Sequence, residues 1–451
     1  MPVAAHSCCT RARRRARIRH GVWRLGLLLL ASGVPALAQE PEPEQAAPGP
    51  ESLVDNPRVD VEKARWRPGK GLEFVSEDGR FRLVTRVRGQ FLYLVEDAFV
   101  GVTEERQREH AFLIRRARLT FSGNTFGEHN KFKLELALSP RDLALRDLGG
   151  EENPPITNRD NVPTLSPLLD FYLEFDYLRD FTLMLGQYKV PFNRERVISS
   201  GDLMLVDRSI VNAEFNLDRD LGLDLRSEDL LGLGRLRYYV GVYVGEGHSA
   251  YALEDFDLMM LARVEVLPFG EFVDYSEADL ERRRKPGLSI GVAAAHVDDA
   301  KGLQGLRGRT PRDGGTTDYT LFTADALFKW SGLSAQSEFI LRKGTRNPGD
   351  AVDEAGNPLP IEAPRNGWGG FLQVGYLLPT TDLELAARYS LIRPRGGATE
   401  TSLQAANALG GGLSYYFHGH PFKLQGDYLH LWEEDFDRGD NQLRVQLQAS
   451  F

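Results

Sequence analysis

From residue 71 onward, apolar and polar residues alternate in segments of about ten residues that are separated by turn residues. In "KFKLELAL", Phe132, Leu134 and Leu136 share one side, and charged residues lie between them. A period of two is that of a β-strand with one apolar and one polar face. The sequence contains no segment with a convincing helical period. The pattern therefore predicts an all-β protein.

About sixteen such segments follow one another, which is an even number of strands of the length that crosses an outer membrane. Tight connections such as "LRD" and "PTT" alternate with long polar ones such as 140–167 and 191–217. The sequence thus predicts a transmembrane antiparallel β-barrel over residues 71–451, although the interval 268–285 is longer than a short turn should be. The predicted strands lie near 81–94, 111–122, 130–139, 168–178, 181–190, 218–228, 234–245, 256–267, 286–297, 316–329, 333–343, 367–378, 382–392, 406–417, 421–431 and 441–451.

The final stretch, "NQLRVQLQASF", carries the alternation to its last residue, Phe451. In hydrocarbon every backbone N–H and C=O group must be bonded within the protein, so we expect this strand to pair with the first and close the barrel. A final Phe on the apolar side also resembles the assembly signal of Gram-negative outer-membrane proteins. The alternative is a secreted soluble β-sandwich or solenoid, which would not need apolar and aromatic residues on the outer side of so many strands.

The front of the chain differs in character. Residues 1–38 contain an arginine-rich start, a short apolar run at Leu25–Ala31 and the small-residue sequence "ALA" before Gln39, which predicts a signal peptide cleaved near Ala38. A membrane anchor is the alternative, but its apolar run falls far short of the ~20 residues that span a bilayer. Residues 39–70 are rich in Pro and Glu and predict a flexible leader.

Charge and cysteine content exclude other classes. Charged residues make up 26% of the chain, which argues against a bundle of membrane helices. Cleavage near Ala38 would remove both cysteines and seven arginines, so the formal charge would pass from −9 to −16. Such an acidic exported protein is not expected to bind nucleic acid, since phosphate backbones attract a basic face. The sequence also contains no metal or cofactor motif, and none is predicted.

Several segments resemble a known family. "RRARL", "GQYKVPF" and "RDLG" occur in this order between residues 115 and 222, and "GLEFVSEDGRFRL" and "GHPFKLQGDYL" flank them. This set resembles the phosphate-selective porin O and P family across nearly all of the chain after the leader. The resemblance implies a sixteen-stranded homotrimer in the outer membrane of a Gram-negative bacterium, whose pores pass small anions such as phosphate or polyphosphate. The acidic net charge is not what the family's name would suggest.

A pore requires residues that face its lumen. The polar side of the strands carries cations, and rings or ladders of arginine favour anions because the guanidinium stays charged and binds oxyanions in a bidentate fashion. Acidic residues on the same side, such as Asp170 and Glu174, could cancel this charge by ion pairing. The predicted pore-lining residues are Arg82, Arg86, Arg88, Arg116, Arg118, Lys131, Lys133, Arg226, Arg235 and Arg237.

The long connection after "GQYKVPF" is predicted to narrow the pore. In sixteen-stranded porins the corresponding loop folds inward, and here residues 194–216 are partly apolar, as suits a segment packed against an inner wall. An ordinary exposed loop is the alternative. The predicted constriction residues are Lys189, Arg194, Arg196 and Arg208, although the alternation leaves the direction of Lys189 open.

Three other functions compete with an anion channel. A general, weakly selective diffusion porin shares the whole fold. An enzyme would need a nucleophile, a base and an orienting group held together, and no serine motif accompanies His418, His420 or His430. A structural or adhesin barrel need not keep its lumen open. The sequence therefore predicts a channel and not an enzyme.

Overall fold

A computed structural model describes residues 64–100, 105–139, 167–248 and 258–451. Sixteen antiparallel strands, β3 to β18, form the barrel, which confirms the predicted fold and strand number. The predicted signal peptide and the leader up to residue 63 lie outside the described residues. The barrel strands are β3 (Arg82–Val100), β4 (Glu105–Asn124), β5 (Asn130–Ala137), β6 (Leu168–Phe175), β7 (Thr182–Lys189), β8 (Arg219–Ser227), β9 (Leu236–Tyr243), β10 (Met259–Val266), β11 (Gly287–Ala300), β12 (Thr316–Trp330), β13 (Leu333–Asn347), β14 (Gly367–Leu377), β15 (Leu383–Pro394), β16 (Ala406–Tyr416), β17 (Phe422–Trp432) and β18 (Asp440–Ser450).

The last strand closes the sheet on the first. β18 pairs with β3 in a register that places Leu447 opposite Phe91. At the end of this seam the N–H of Val87 donates to the carbonyl of Phe451 at 2.8 Å, and the N–H of Phe451 donates to the carbonyl of Val87 at 3.0 Å. The terminal alternation thus has the structural role that the sequence predicted.

A short hairpin precedes the barrel. β1 (Arg65–Arg67) pairs with β2 (Gly71–Val75), and β2 pairs with residues 82–85 of β3. β18 pairs with the same edge of β3 at residues 88–97. β1 lies inside the segment 39–70 that was predicted to be flexible, so that boundary is corrected. Three residues are too few to show an alternation, and β1 is ordered by pairing with β2.

The two faces of the barrel differ as the alternation predicted. Outward side chains such as Phe91, Leu223 and Val264 are 41–43% exposed, while inward polar side chains such as Gln90 and Glu265 are fully buried. Among the described residues, helical structure is confined to α1 (Arg194–Val197), α2 (Ile210–Phe215) and 3-10 turns at Leu230–Gly232 and Phe436–Arg438. Within the described residues, no helix is long and apolar enough to cross a membrane.

Short turns such as 331–332 and 417–421 lie at one end of the barrel, here called the short-turn end, and the opposite end is the long-loop end. In outer-membrane barrels the short turns face the periplasm and the long loops face outward. The interval 268–285 is an exception at the short-turn end. Residues 267–286, here called the inward segment, enter the barrel from that end, which explains why this connection is too long for a turn.

Candidate functional site

Residues 190–218, here called the inward loop, fold into the barrel from the long-loop end. The loop contains α1 and α2, which a single carboxylate joins: Glu195 accepts from the N–H of Ser209 at 2.7 Å and from its hydroxyl at 2.5 Å. The Ser209 hydroxyl in turn accepts from the N–H of Asn212 at 3.1 Å and caps α2. The loop is therefore folded by its own polar groups.

The apolar residues of the loop pack against small residues of the wall. Phe215 and Leu205 are buried, and each lies where the wall carries glycine. A Cβ at Gly369 would come within 2.8 Å of Phe215, and one at Gly412 within 2.9 Å of Leu205. These glycines make room for the loop, whose partly apolar composition indicated packing against an inner wall.

Backbone carbonyls of the loop are also bound by polar wall residues. Lys423 Nζ donates to the carbonyl of Leu203 at 2.6 Å, and Gln448 donates to that of Gly201 at 3.0 Å. In the opposite sense, the N–H of Val206 donates to Asp427 at 2.9 Å. The loop therefore covers the inner face of β17 and β18.

Arg194 anchors the start of the loop to β10, β12 and the inward segment. Its side chain is fully buried and forms ion pairs with Asp325 at 2.6 Å, Asp274 at 3.0 Å and Glu265 at 3.2 Å. Arg263 shares this network and pairs with Asp325 at 2.7 Å and Glu265 at 2.8 Å. Arg194 therefore faces no open water, in contrast to its predicted place at the constriction.

The inward segment meets the inward loop inside the barrel. The N–H of Glu277 donates to the carbonyl of Asp202 at 3.0 Å, and the Glu277 carboxylate accepts from the N–H of Met204 at 2.8 Å and from Gln373 at 2.9 Å. Burial, reinforced by the nearby Glu195, raises the pKa of Glu277. Loop and segment together occupy the lumen beside β10 to β18.

A cavity of about 420 Å³, here called the passage, lies inside the barrel along β3 to β9. Its walls come from the strands, from the start of the inward loop and from Tyr275 of the inward segment. Six basic and three acidic residues line it. The lining residues are Arg86, Arg88, Arg118, Lys133, Glu135, Asp170, Tyr172, Met184, Tyr188, Lys189, Pro191, Val197, Ser199, Arg226, Glu228, Tyr239 and Tyr275.

Three of the six cations are neutralised by carboxylates. Arg118 pairs with Glu135 at 2.8 Å, and Lys133 pairs with Asp170 at 2.5 Å. Arg226 pairs at 2.6 Å with a further residue, Asp224 of β8. The sequence left open that acidic residues neutralise the cations of the wall, and these three cations are neutralised in this way.

The other three cations, Arg86, Arg88 and Lys189, form no ion pair within the described part of the chain. Arg88 donates to the hydroxyls of Ser199 at 2.9 Å and Ser200 at 3.1 Å. Lys189 points inward and donates to the carbonyls that end α1, at 3.1 Å and 3.2 Å. The passage therefore carries an excess of positive charge where the loop begins.

The remaining predicted residues lie elsewhere. Arg82 and Lys131 are at the short-turn end, paired with Glu73 at 2.7 Å and Glu174 at 3.0 Å. Arg235 precedes β9 and is exposed at the same end, outside the wall strands. The others are held by protein groups: Arg116 by Asp207, Arg237 by Asp274 and Glu265, Arg196 by Asp218, and Arg208 by the carbonyls of Glu195 and Ile198.

Alternation did not identify Arg115 as an inward residue. A β-bulge between β3 and β4 breaks the register after Gln90, so that Arg115 and Arg116 both reach Asp207 of the inward loop, at 2.5 Å and 3.2 Å. Burial raises the pKa of Asp207, but the two guanidinium groups outweigh it and hold that pKa well below its usual range. The repeated arginines of "RRARL" were the signal for this site.

The architecture is that of a channel-forming outer-membrane barrel. Residues 86–230 match the model of the family described as phosphate-selective porin O and P, which confirms the resemblance seen in the sequence over this part of the chain. An uncharacterized protein of Aquifex aeolicus (strain VF5) is 22% identical over 303 residues, covering 62% of this chain and 67% of that protein.

The chain is also similar to solved structures. A loop L8 deletion mutant of OmpT, an outer membrane protein of Vibrio cholerae, has a TM-score of 0.50 at 10% identity, covering 82% of this chain and 99% of that chain. The outer membrane channel DcaP of Acinetobacter baumannii has a TM-score of 0.47 at 16% identity, covering 85% and 100%. The barrel fold and the family match over residues 86–230 together support a diffusion channel of the outer membrane.

Proposed function

We propose that this protein is a channel for the passive diffusion of small anions, with phosphate or polyphosphate as candidate solutes. The observation that carries the proposal is the group of three cations, Arg86, Arg88 and Lys189, that line the passage without a carboxylate partner among the described residues. An arginine fork can bind phosphate or carboxylate while remaining charged at any relevant pH.

Local charge governs this selectivity more than net charge does. Charges on outer loops are screened beyond about 8–10 Å at physiological salt, whereas an ion in the passage meets the lining side chains directly. The full chain has a formal charge of −9, but the acids that line the passage, Glu135, Asp170 and Glu228, are fewer than its cations. An acidic protein can therefore contain a cationic passage.

A general diffusion porin with weak selectivity is the second candidate. The neutralised cations favour it, because Arg118, Lys133 and Arg226 each have a carboxylate within hydrogen-bonding distance. The two candidates differ in whether the three unpaired cations determine which ions pass.

Replacing Arg86 by Gln tests the difference cleanly, since Arg86 lines the passage without an ion pair. A unit charge about 5 Å from a passing ion contributes about 0.8 kcal/mol in water, or roughly fourfold in local ion concentration. We expect R86Q to lower the chloride-to-potassium permeability ratio roughly twofold or more, and R86Q with R88Q to lower it further and to weaken any block by phosphate. The measurement is the reversal potential of single channels in a KCl gradient.

Arg235→Gln is the matched control, because Arg235 is exposed at the short-turn end outside the wall. It should leave the reversal potential unchanged. Equal reversal potentials for R86Q, R86Q/R88Q and the unmodified protein would leave the general porin as the better description.

We further propose that the protein is exported after cleavage near Ala38 and assembles as a homotrimer, as the family resemblance implies. N-terminal sequencing of the protein from outer membranes tests the cleavage site. Native mass spectrometry of the same material tests the assembly, and a mass of one or two chains would contradict it.

A further inference from the structure

Three cations lie at the long-loop end of β13 to β15, two on the lipid-facing side of the strands and one just after β15. Lys343 shares the outward side of β13 with Phe339, which is 39% exposed. Arg393 of β15 stands directly opposite Trp368 of β14. Arg395 lies two residues after Arg393, so by alternation it has the same outward direction. Its N–H donates to the carbonyl of Asn366 at 3.0 Å. These residues are here called the rim cations.

The rim cations have no carboxylate partner within the part of the chain that the structure describes. Arg393 donates to the carbonyls of Ile392 at 2.7 Å and Ala406 at 3.2 Å and to Asn407 at 2.7 Å. Lys343 and Arg395 are exposed and form no ion pair there. The rim therefore carries a local positive charge.

Neighbouring charges cancel it only in part. Lys343 and Arg395 line a cleft of about 850 Å³ together with Arg342, Arg346, Glu362 and Glu400. Arg346 pairs with Asp313 at 2.7 Å, Arg342 pairs with Glu214, and Glu362 pairs with Arg309 at 2.6 Å. Glu400 has no basic partner among the described residues, and its carboxylate accepts from the N–H of Gly397 at 3.2 Å.

The cleft borders an apolar surface. Ile361, which lines it, is 58% exposed. On the same face, beside Arg393 and below Lys343, the rings of Trp368 and Phe339 lie 5.8 Å apart, measured between centroids. Aromatic side chains at this height mark the boundary between headgroups and hydrocarbon. The ligand that fits both features is an amphiphile with an anionic head.

We propose that the rim cations bind phosphate groups of an outer-leaflet lipid. The long loops of such barrels face outward, so this rim lies at the headgroups of the outer leaflet. Lysine and arginine are the side chains that bind phosphate, and arginine does so through its fork. A free phosphate ion would make no contact with the adjoining apolar face, whereas the acyl chains of a lipid would cover it.

The test uses the full protein purified in detergent and mixed with diphosphoryl or dephosphorylated lipid A, with bound lipid counted by native mass spectrometry. Each cation near an anionic headgroup contributes about fivefold in affinity. We expect the diphosphoryl form to bind and the triple variant K343Q/R393Q/R395Q to bind it on the order of 100-fold more weakly. The dephosphorylated form should bind both proteins equally weakly.

Arg284→Gln with Lys285→Gln is the control, because these exposed cations belong to the short-turn end. It should leave lipid binding unchanged, and heat-modifiable electrophoresis should show that all variants are folded. Equal binding by the triple variant and the unmodified protein would overturn the proposal. So would competition by inorganic phosphate with no preference for the lipid, or a triple variant that loses association between copies instead of lipid.

Discussion

Replacing Arg194 by Met is expected to loosen the inward loop and widen the passage. The substitution keeps much of the side-chain volume but leaves Asp325, Asp274 and Glu265 with one cation fewer in a fully buried site. Removing one partner from a buried ion pair lowers stability by about 3–5 kcal/mol. We expect a value near the lower end, because Arg263 still pairs with two of these carboxylates, Glu265 and Asp325. Single channels should show a larger conductance and more frequent fluctuations.

Arg284→Met is the matched control, because Arg284 is an exposed arginine of the inward segment. It should conduct like the unmodified protein. If R194M instead left the conductance unchanged and lowered only the preference for chloride, Arg194 would have to face the passage, and the buried network would be wrong.

Replacing Phe451 by Asp is expected to impair insertion into the outer membrane. The backbone of Phe451 pairs with Val87 at the seam between β18 and β3, and its ring is 56% exposed on the outward side. A basic residue on the lipid face costs about 2–4 kcal/mol at the bilayer midplane, and an acidic residue or a position near the interface costs less. The aspartate therefore weakens the seam at which β18 closes the barrel on β3. The fraction of heat-modifiable protein in outer membranes should fall, while export continues.

Phe126→Asp provides the comparison, since Phe126 is 70% exposed in the turn between β4 and β5 at the same end of the barrel. This variant should insert normally. Normal yields of folded F451D would show that the seam tolerates a charge and that the outward phenylalanine is dispensable.

The strands could be predicted because the apolar and polar faces of each strand appear directly as an alternation in its own sequence. Residues 316–329 and 367–378, for example, were predicted as strands from alternation alone, and β12 and β14 match them within one residue at each end. β3 and β4 extend beyond prediction, to Val100 and from Glu105, because their polar ends are paired with each other above the apolar belt. Alternation cannot detect that pairing.

The site was predicted less completely because its contacts join distant parts of the chain. Arg86, Arg88 and Lys189 do line the passage, as inward alternation and loop position suggested. Arg194 does not, because Asp274, its partner 80 residues later, belongs to a segment that resembled an oversized turn. Alternation shows on which face of the sheet a side chain lies, but it does not show which charged residue from a distant part of the chain lies beside it.

The most direct test of the central claim is the reversal potential of the unmodified channel in a KCl gradient. The three unpaired cations of the passage predict that chloride permeates more readily than potassium. A reversal potential of the opposite sign, showing preference for potassium, would contradict the anion-channel account while leaving the barrel and its inward loop as described.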